Sequence, residues 1–262
     1  MSGLIMPKQT FAAARAAGAK DEDLELSGVA VLTFNRGIVK RLEEICGLTD
    51  VAWLEPNVHP YSVPQVTKRG SHEGLDVIVL APAMGASPLA STVEDLIACG
   101  IDAIFLACAA WSLGAPVQFG DILVPSFAVG PDGTSIHYGN PEGRIEADSI
   151  VVAALADSAR KRGATVHVGG NASCEALYRI TPEMGEDFRN QGCLSMENGE
   201  AATLFAVCRS FGIPGGVIFQ PYIDLIEGWS PSRLDERYHK TCRLQADVVL
   251  DAALRLHDVK RI

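Results

Sequence analysis

The sequence predicts an α/β fold in which strands and helices alternate in layers around a central sheet. Unbroken apolar runs recur along the chain, and most are followed by a segment with helical spacing of its apolar residues. Such runs are typical of strands that are covered on both faces. The length of 262 residues suits one large domain, and 48% hydrophobic with 21% charged residues is an ordinary globular composition.

The first strand is predicted at 28–34, where GVAVLTF is apolar and rich in β-branched residues. Residues 1–27, which include the solvated charge run KDEDLEL, are interpreted as an N-terminal extension, and 28–262 as a single domain. The segment 37–47 has apolar residues at helical spacing and ends at a glycine, which predicts a helix. Residues 51–72 contain three prolines and fit either strands or loops.

The middle of the chain continues the alternation. The apolar run at 76–83 predicts a buried strand, and the segment 87–100 predicts a helix that begins near Ser87. A further apolar run at 101–110 predicts the next strand, and DILVPSFAV predicts another at 121–129. Together these segments place three strands close to one another in the sequence, as expected for a layered α/β fold.

The second half repeats the pattern. Helices are predicted at 149–163 and 200–212, and strands at 164–173 and 215–223. A long amphipathic segment at 233–257 predicts a closing helix.

Charge and cysteine content exclude several classes of protein. The formal net charge is −10 and no run of Lys or Arg is present, which argues against a nucleic-acid binder. The sequence contains no stretch of 18 apolar residues, so no membrane span is predicted. No secretory signal is recognised, and a cytoplasmic protein is expected. Seven cysteines without a C-x-x-C pair argue against a disulfide framework and against a structural zinc site.

Candidate site residues lie where predicted strands end, because ligands of open α/β sheets bind beyond strand ends. The segments concerned are 33–37, 83–86, 109–112 and 220–224. The motif SMENGEAATLF at 195–205 adds two carboxylates just before a helix. None of these segments is a phosphate-binding P-loop or a complete G-x-G-x-x-G, so spacing alone does not identify the ligand.

The chain resembles the nucleoside phosphorylase family over about residues 28–256, in particular its uridine phosphorylase branch, and the stretch 84–139 carries much of the likeness. The resemblance rests on VEDL at 93–96, GDILV at 120–124, HVGGNAS at 167–173 and NGEAATL at 198–204. It implies a three-layer α/β/α fold with a central mixed sheet and cleavage of a nucleoside N-glycosidic bond. It also implies a homo-oligomer, either a hexamer or a dimer. The implied small-molecule ligand is a nucleoside, and whether phosphate also binds stays open. No metal and no organic cofactor are implied.

The resemblance also implies roles for individual residues. Glu200 would accept hydrogen bonds from the ribose hydroxyls, with Glu197 as the competing candidate and Asn198 beside them in the substrate-binding motif. Asp224 would protonate the leaving base, and Tyr178 would pack on it. Trp111, at a strand end, would either stack on the ligand or fill the space of a phosphate.

The phosphate-binding residues of the family are not reproduced. The loop positions that supply a glycine and an arginine fall here on Phe34 and Ile38, and Ala107 takes the place of the second arginine. Phosphate needs several donors, ideally a bidentate arginine, and Arg36 is the nearest candidate. Three interpretations therefore stay open: a phosphorylase, a nucleosidase that uses water, and a non-catalytic relative that binds a nucleoside.

Overall fold

The computed structural model describes residues 4–51, 53, 64–130, 132–226 and 235–260. The helices in this part of the chain are α1 (Pro7–Ala16), α2 (Asp21–Leu24), α3 (Arg36–Cys46), α4 (Ala86–Ala98), α5 (Ser149–Lys161), α6 (Pro182–Asn190), α7 (Glu200–Phe211) and α8 (Glu236–Lys260). The strands are β1 (Val29–Leu32), β2 (Thr49–Asp50), β3 (Val66–His72), β4 (Leu75–Ala81), β5 (Ala103–Ser112), β6 (Ile122–Val129), β7 (Arg144–Glu146), β8 (Val166–Ser173), β9 (Cys193–Glu197) and β10 (Gly215–Asp224).

These strands form one mixed sheet in the order β10-β6-β8-β9-β5-β1-β4-β3-β2, with β7 beside β6. The β1–β4, β1–β5 and β5–β10 pairs are parallel, and β9 runs antiparallel to β5. Because β10 pairs with both β5 and β6, the strands β5, β9, β8, β6 and β10 close on themselves. The carboxyl end of β5 lies beside the end of β9, because Trp111 pairs with Met196, and β1 runs parallel to β5.

Two apolar cores flank the sheet, because successive side chains of a strand point to opposite faces. In β1, Ala30 and Leu32 join the core under α4 and α7, whereas Val29 and Val31 join the core under α3, α5 and α8. The resulting three layers confirm the predicted α/β/α fold with a central mixed sheet.

Most element predictions agree with the structure within a few residues. The predicted segment 101–110 extends in β5 to Ser112, and α4 begins at Ala86, so Ser87 lies inside the helix rather than at its cap. The first two residues of the predicted closing helix, 233 and 234, lie outside the described residues. The elements not predicted from the sequence are α1, α2, β2, β7, α6 and β9, and β3 lies within 51–72, where strands and loops both fitted. Residues 1–27 were interpreted as an extension, but Phe11, Ala14 and Leu24 are buried in the core under α4 and α7.

The remaining general predictions concern cysteines and membranes. All seven cysteines are buried and unpaired. In the described part of the chain, no helix is long and apolar enough to cross a membrane.

Candidate functional site

A cavity of about 1100 Å³ opens beside the ends of β1, β5 and β9. The first turns of four helices contribute to its wall, through Arg36 of α3, Ala86 of α4, Glu200 of α7 and Tyr238 of α8. Since the N-terminal end of a helix carries partial positive charge, this arrangement favours carboxylates and other anions in the cavity. The volume slightly exceeds the usual range for small-molecule sites, roughly 300–1,000 Å³.

Glu200 is the first residue of α7 and presents its carboxylate to the cavity while only 3% of the residue is exposed. Its Oε1 accepts the backbone N–H of Gly85 at 2.9 Å, and its Oε2 accepts that of Asn198 at 3.1 Å. A carboxylate offers about four acceptor sites. Two of them are thus occupied by backbone amides, and acceptor capacity toward a ligand remains.

Glu197 ends β9 and is also buried, with 5% exposure. Its Oε2 accepts the backbone N–H of Glu200 at 2.7 Å, and its Oε1 accepts the side-chain amide of Asn171 at 2.8 Å. Longer bonds of 3.4 Å reach Oε1 from the Ser173 hydroxyl and the Ala201 amide. Glu197 therefore holds the start of α7 in place, and its oxygens are more fully occupied by the protein than those of Glu200.

The two carboxyl groups interact directly. Burial, followed by the nearby Glu200 carboxylate, raises the pKa of Glu197 well above its ordinary value. The Cys108 thiol of β5 faces the same pair, and burial together with both carboxylates raises its pKa as well. The thiol is therefore neutral, and it adds no charge to this side of the cavity.

Gly199, between the two glutamates, is the N-cap of α7 and has a φ of 96°, which favours glycine. A Cβ at this position would lie 3.2 Å from the Cβ atoms of both Ala86 and Asp132. The absence of a side chain thus permits the close approach of α7 to α4.

Aromatic residues line another part of the cavity. The side-chain amide of Asn35 donates to the Tyr238 hydroxyl at 2.7 Å. The Tyr238 ring lies 6.1 Å from that of Tyr222 and 5.7 Å from that of His239, measured between centroids. Burial raises the pKa of Tyr238, so its neutral hydroxyl, which accepts from Asn35, can also donate a hydrogen bond to a ligand.

Trp111 and Phe34 also line the cavity from strand ends. Trp111 lies within β5, where Met196 of β9 pairs with it on one edge and Ile223 of β10 on the other. Phe34 follows β1 and packs against the core under α4 and α7.

Arg36 is the single arginine among the described residues that line the cavity. It is the first residue of α3 and is exposed. No hydrogen bond or ion pair of its guanidinium is found within the described ranges. The Asn35 side chain accepts the backbone N–H of Gly37 at 2.8 Å and so caps α3. Ile38 and Ala107, which were predicted to replace the family's arginines, are fully buried in the core under α3, α5 and α8.

The structure brings six of the eight predicted site residues to the cavity: Phe34, Arg36, Trp111, Glu197, Asn198 and Glu200. Tyr178 and Asp224 are not among the residues that line it. Tyr178 is 94% exposed, and Asp224 ends β10, where its Oδ1 accepts the Ile226 amide at 2.8 Å.

Several cavity residues lie outside the segments singled out from the sequence, among them Glu175, Leu177, Tyr238 and His239. Asn35, Met84 and Tyr222 lie within segments predicted at strand ends, although no individual role was predicted for them. Leu177 is the immediate neighbour of the predicted Tyr178. Tyr238 and His239 lie in the first turn of a long helix whose sequence signals only its amphipathic packing. Among the described residues, no group of three or more His, Cys, Asp or Glu side chains is arranged to hold a metal ion.

Comparison with known proteins agrees with this architecture. The model of the phosphorylase superfamily matches residues 14–255. A uridine phosphorylase of Salmonella typhimurium is 28% identical over 254 residues, which cover 91% of this chain and 96% of the relative. A guanosine phosphorylase of Halorubrum lacusprofundi is 26% identical over 207 residues, covering 79% and 83%. The match spans both cores and every strand that borders the cavity, and the chain belongs to the phosphorylase superfamily.

Proposed function

We propose that this chain cleaves the N-glycosidic bond of a nucleoside in the cavity beside β1, β5 and β9. The observation that carries the proposal is the Glu200 carboxylate, which is buried, fixed by two backbone amides and still able to accept further hydrogen bonds. Relatives named uridine phosphorylase and guanosine phosphorylase support a nucleoside as the substrate. Their different bases leave the choice of base to experiment.

In the proposed reaction, Glu200 binds the ribose hydroxyls while the C1′–N bond breaks and its electron pair leaves with the base. Positive charge then develops on the sugar ring, and buried carboxylates stabilise it. Glu197 holds the first turn of α7, and Asn198 holds Glu200 through its backbone amide. Asp224, two residues beyond the cavity residue Tyr222 in β10, is the proposed proton donor to the base. The contact with the base that was predicted for Tyr178 is proposed instead for its neighbour Leu177, which lines the cavity.

The attacking group is either phosphate or water. The names of the relatives favour phosphate, which would yield a sugar 1-phosphate. The carboxyl side chains of the lining oppose a bound phosphate despite the four helix N-termini, and so favour water, which would yield the free sugar. Glu175, Glu197 and Glu200 line the cavity together with Arg36 and His239, and the buried Ile38 and Ala107 offer no donor to phosphate. We therefore propose hydrolysis as the second candidate activity.

A single product analysis tests both candidates. Purified protein is incubated with uridine, guanosine and adenosine, with and without inorganic phosphate, and the sugar products are identified by mass. A sugar phosphate that forms only with phosphate supports phosphorolysis, and free ribose under both conditions supports hydrolysis. Binding without cleavage under either condition would contradict the catalytic proposal and support a non-catalytic relative. Light scattering of the same samples tests the expected homo-oligomer.

A further inference from the structure

Four buried polar side chains form a ladder on one face of the paired strands β8 and β9. They are Asn171 and Ser173 of β8 and Ser195 and Glu197 of β9, with exposures of 0%, 1%, 1% and 5%. The strands run parallel, with Asn171 opposite Ser195 and Ser173 opposite Glu197. Alternate residues of a strand point to the same face, so these four side chains lie together. Of the four, Glu197 alone lines the cavity.

The side-chain amide of Asn171 connects the two strands of this ladder. Its oxygen accepts the Ser195 hydroxyl at 2.8 Å, and its nitrogen donates to Oε1 of Glu197 at 2.8 Å. The nitrogen also donates to the Ala172 carbonyl at 3.2 Å. A carbonyl oxygen can only accept, so the amide nitrogen must face Ala172 and Glu197. Asn171 therefore presents a donor of fixed orientation to the Glu197 carboxyl.

Glu197 links this donor to the start of α7. Its Oε2 accepts the backbone N–H of Glu200, the first residue of that helix, at 2.7 Å. Asn171 is closer to Glu197 than Ser173, whose hydroxyl lies 3.4 Å from Oε1. Both oxygens belong to one planar group, so a rotation that breaks the Asn171 bond also displaces the acceptor of the Glu200 amide. The orientation of Glu197 and the position of the first turn of α7 thus depend on the same amide.

We propose that Asn171 is a positioning residue, which orients Glu197 and thereby fixes the first turn of α7 and the Glu200 carboxylate. Asn171 is fully buried and does not line the cavity, so it acts through Glu197 rather than by contact with a ligand. The effect on substrate binding rests on the proposed function. The effect on the first turn of α7 does not, so the two can be tested separately.

Hydrogen exchange of single backbone amides tests the structural half of the proposal. Asn171→Leu replaces the amide by an apolar side chain of similar size. The Glu200 and Ala201 amides, which donate to Glu197 at 2.7 and 3.4 Å, should then exchange about tenfold faster or more, relative to Val207 in the same helix. Mass spectrometry with fragmentation to single residues measures these rates.

Two further variants make this result specific. Ser195→Ala removes the donor to the Asn171 oxygen, so it should accelerate the same two amides to a smaller extent, and it decides the question if Asn171→Leu does not fold. Asn140→Leu is the matched control. Asn140 is 2% exposed, and its side-chain amide donates to the Ser135 hydroxyl at 2.9 Å, outside the ladder. This control should lower overall stability without a selective effect on Glu200.

Equal acceleration throughout α7 would overturn the proposal, because Asn171 would then support the fold alone. Unchanged exchange at Glu200 in a folded variant would overturn it as well.

Steady-state kinetics with uridine, guanosine and adenosine test the functional half. A smaller folded fraction lowers the apparent kcat and leaves KM unchanged, whereas a displaced Glu200 weakens its bond to the sugar and raises KM. We expect KM to rise roughly tenfold in Asn171→Leu and to stay within about twofold of wild type in Asn140→Leu.

The two measurements separate the failure of each idea. Selective exchange at Glu200 combined with an unchanged KM would contradict the positioning of the carboxylate. Selective exchange in a protein that cleaves none of the three nucleosides would support the positioning role and contradict the proposed function.

Discussion

Replacement of Glu200 by alanine is the most direct test of the site. The substitution removes a buried carboxylate that accepts the backbone amides of Gly85 and Asn198 and borders the cavity. With two of its about four acceptor sites used by backbone amides, acceptor capacity remains for a sugar hydroxyl. A hydrogen bond to a charged acceptor contributes about 1.5–3 kcal/mol, so kcat/KM should fall roughly 10- to 150-fold.

The same substitution also affects stability. It leaves two backbone amides without their acceptor, but both border the cavity, where water can bind them. We therefore expect the free energy of unfolding to fall by about 1–3 kcal/mol, and the loss of repulsion with Glu197 acts in the opposite direction. Urea unfolding measures this change, and steady-state kinetics with the best nucleoside of the panel measures kcat/KM.

Glu175→Ala is the matched control, because it removes another carboxylate from the cavity wall that accepts one backbone amide, that of Gly133 at 3.1 Å. Its kcat/KM should stay within about threefold of wild type. Wild-type kinetics in Glu200→Ala would refute the assignment of Glu200 to the sugar and transfer that role to Glu197.

Four further outcomes are expected. Millimolar phosphate should neither raise the melting temperature nor accelerate nucleoside cleavage, as measured by thermal shift and product assay. Asp224→Asn should slow poor leaving groups about 10²–10⁴-fold and activated nucleosides much less, and equal losses would contradict a proton donor. Leu177→Ala should raise KM more than Tyr178→Ala, because Leu177 lines the cavity and Tyr178 is exposed. The free energy of unfolding of wild type, relative to that of Glu197→Gln, should decrease as pH rises above about 4.5. Denaturant titrations at several pH values measure this difference. Burial raises the pKa of Glu197 in the folded protein, so the folded protein holds this proton to higher pH than the unfolded chain, which releases it near the ordinary pKa of 4.5.

The layered fold was predictable because its strands are covered on both faces and read as continuous apolar runs. β1 and β4 illustrate this, since almost every residue in them is buried. By contrast, β9 has the sequence CLSME, in which Ser195 and Glu197 are polar and buried. Hydrogen bonds rather than apolar contacts make their burial possible. A pattern of hydrophobicity cannot reveal such a strand.

The candidate site was predictable in part, for a related reason. Glu197, Asn198 and Glu200 belong to a short motif next to a helix start, which a sequence shows directly. Tyr222 and Tyr238 reach the same cavity from β10 and α8, and their proximity depends on the bulge in β10 and on where α8 begins. The position of Leu177 depends on a single turn after β8, and sequence similarity does not fix such a turn to one residue.

The shape of the cavity depends on the absence of a side chain at Gly199. Because α4 and α7 meet across this residue, the distance between the Gly85 amide and the Glu200 carboxylate is set by the absence of a side chain at 199. A Cβ at this position would lie 3.2 Å from the Cβ atoms of Ala86 and Asp132, so these neighbours would have to shift by a few tenths of an ångström. A substitution at 199 would thus alter the cavity without replacing a residue of its lining, and it would strain the Gly85–Glu200 bond between the two helix starts.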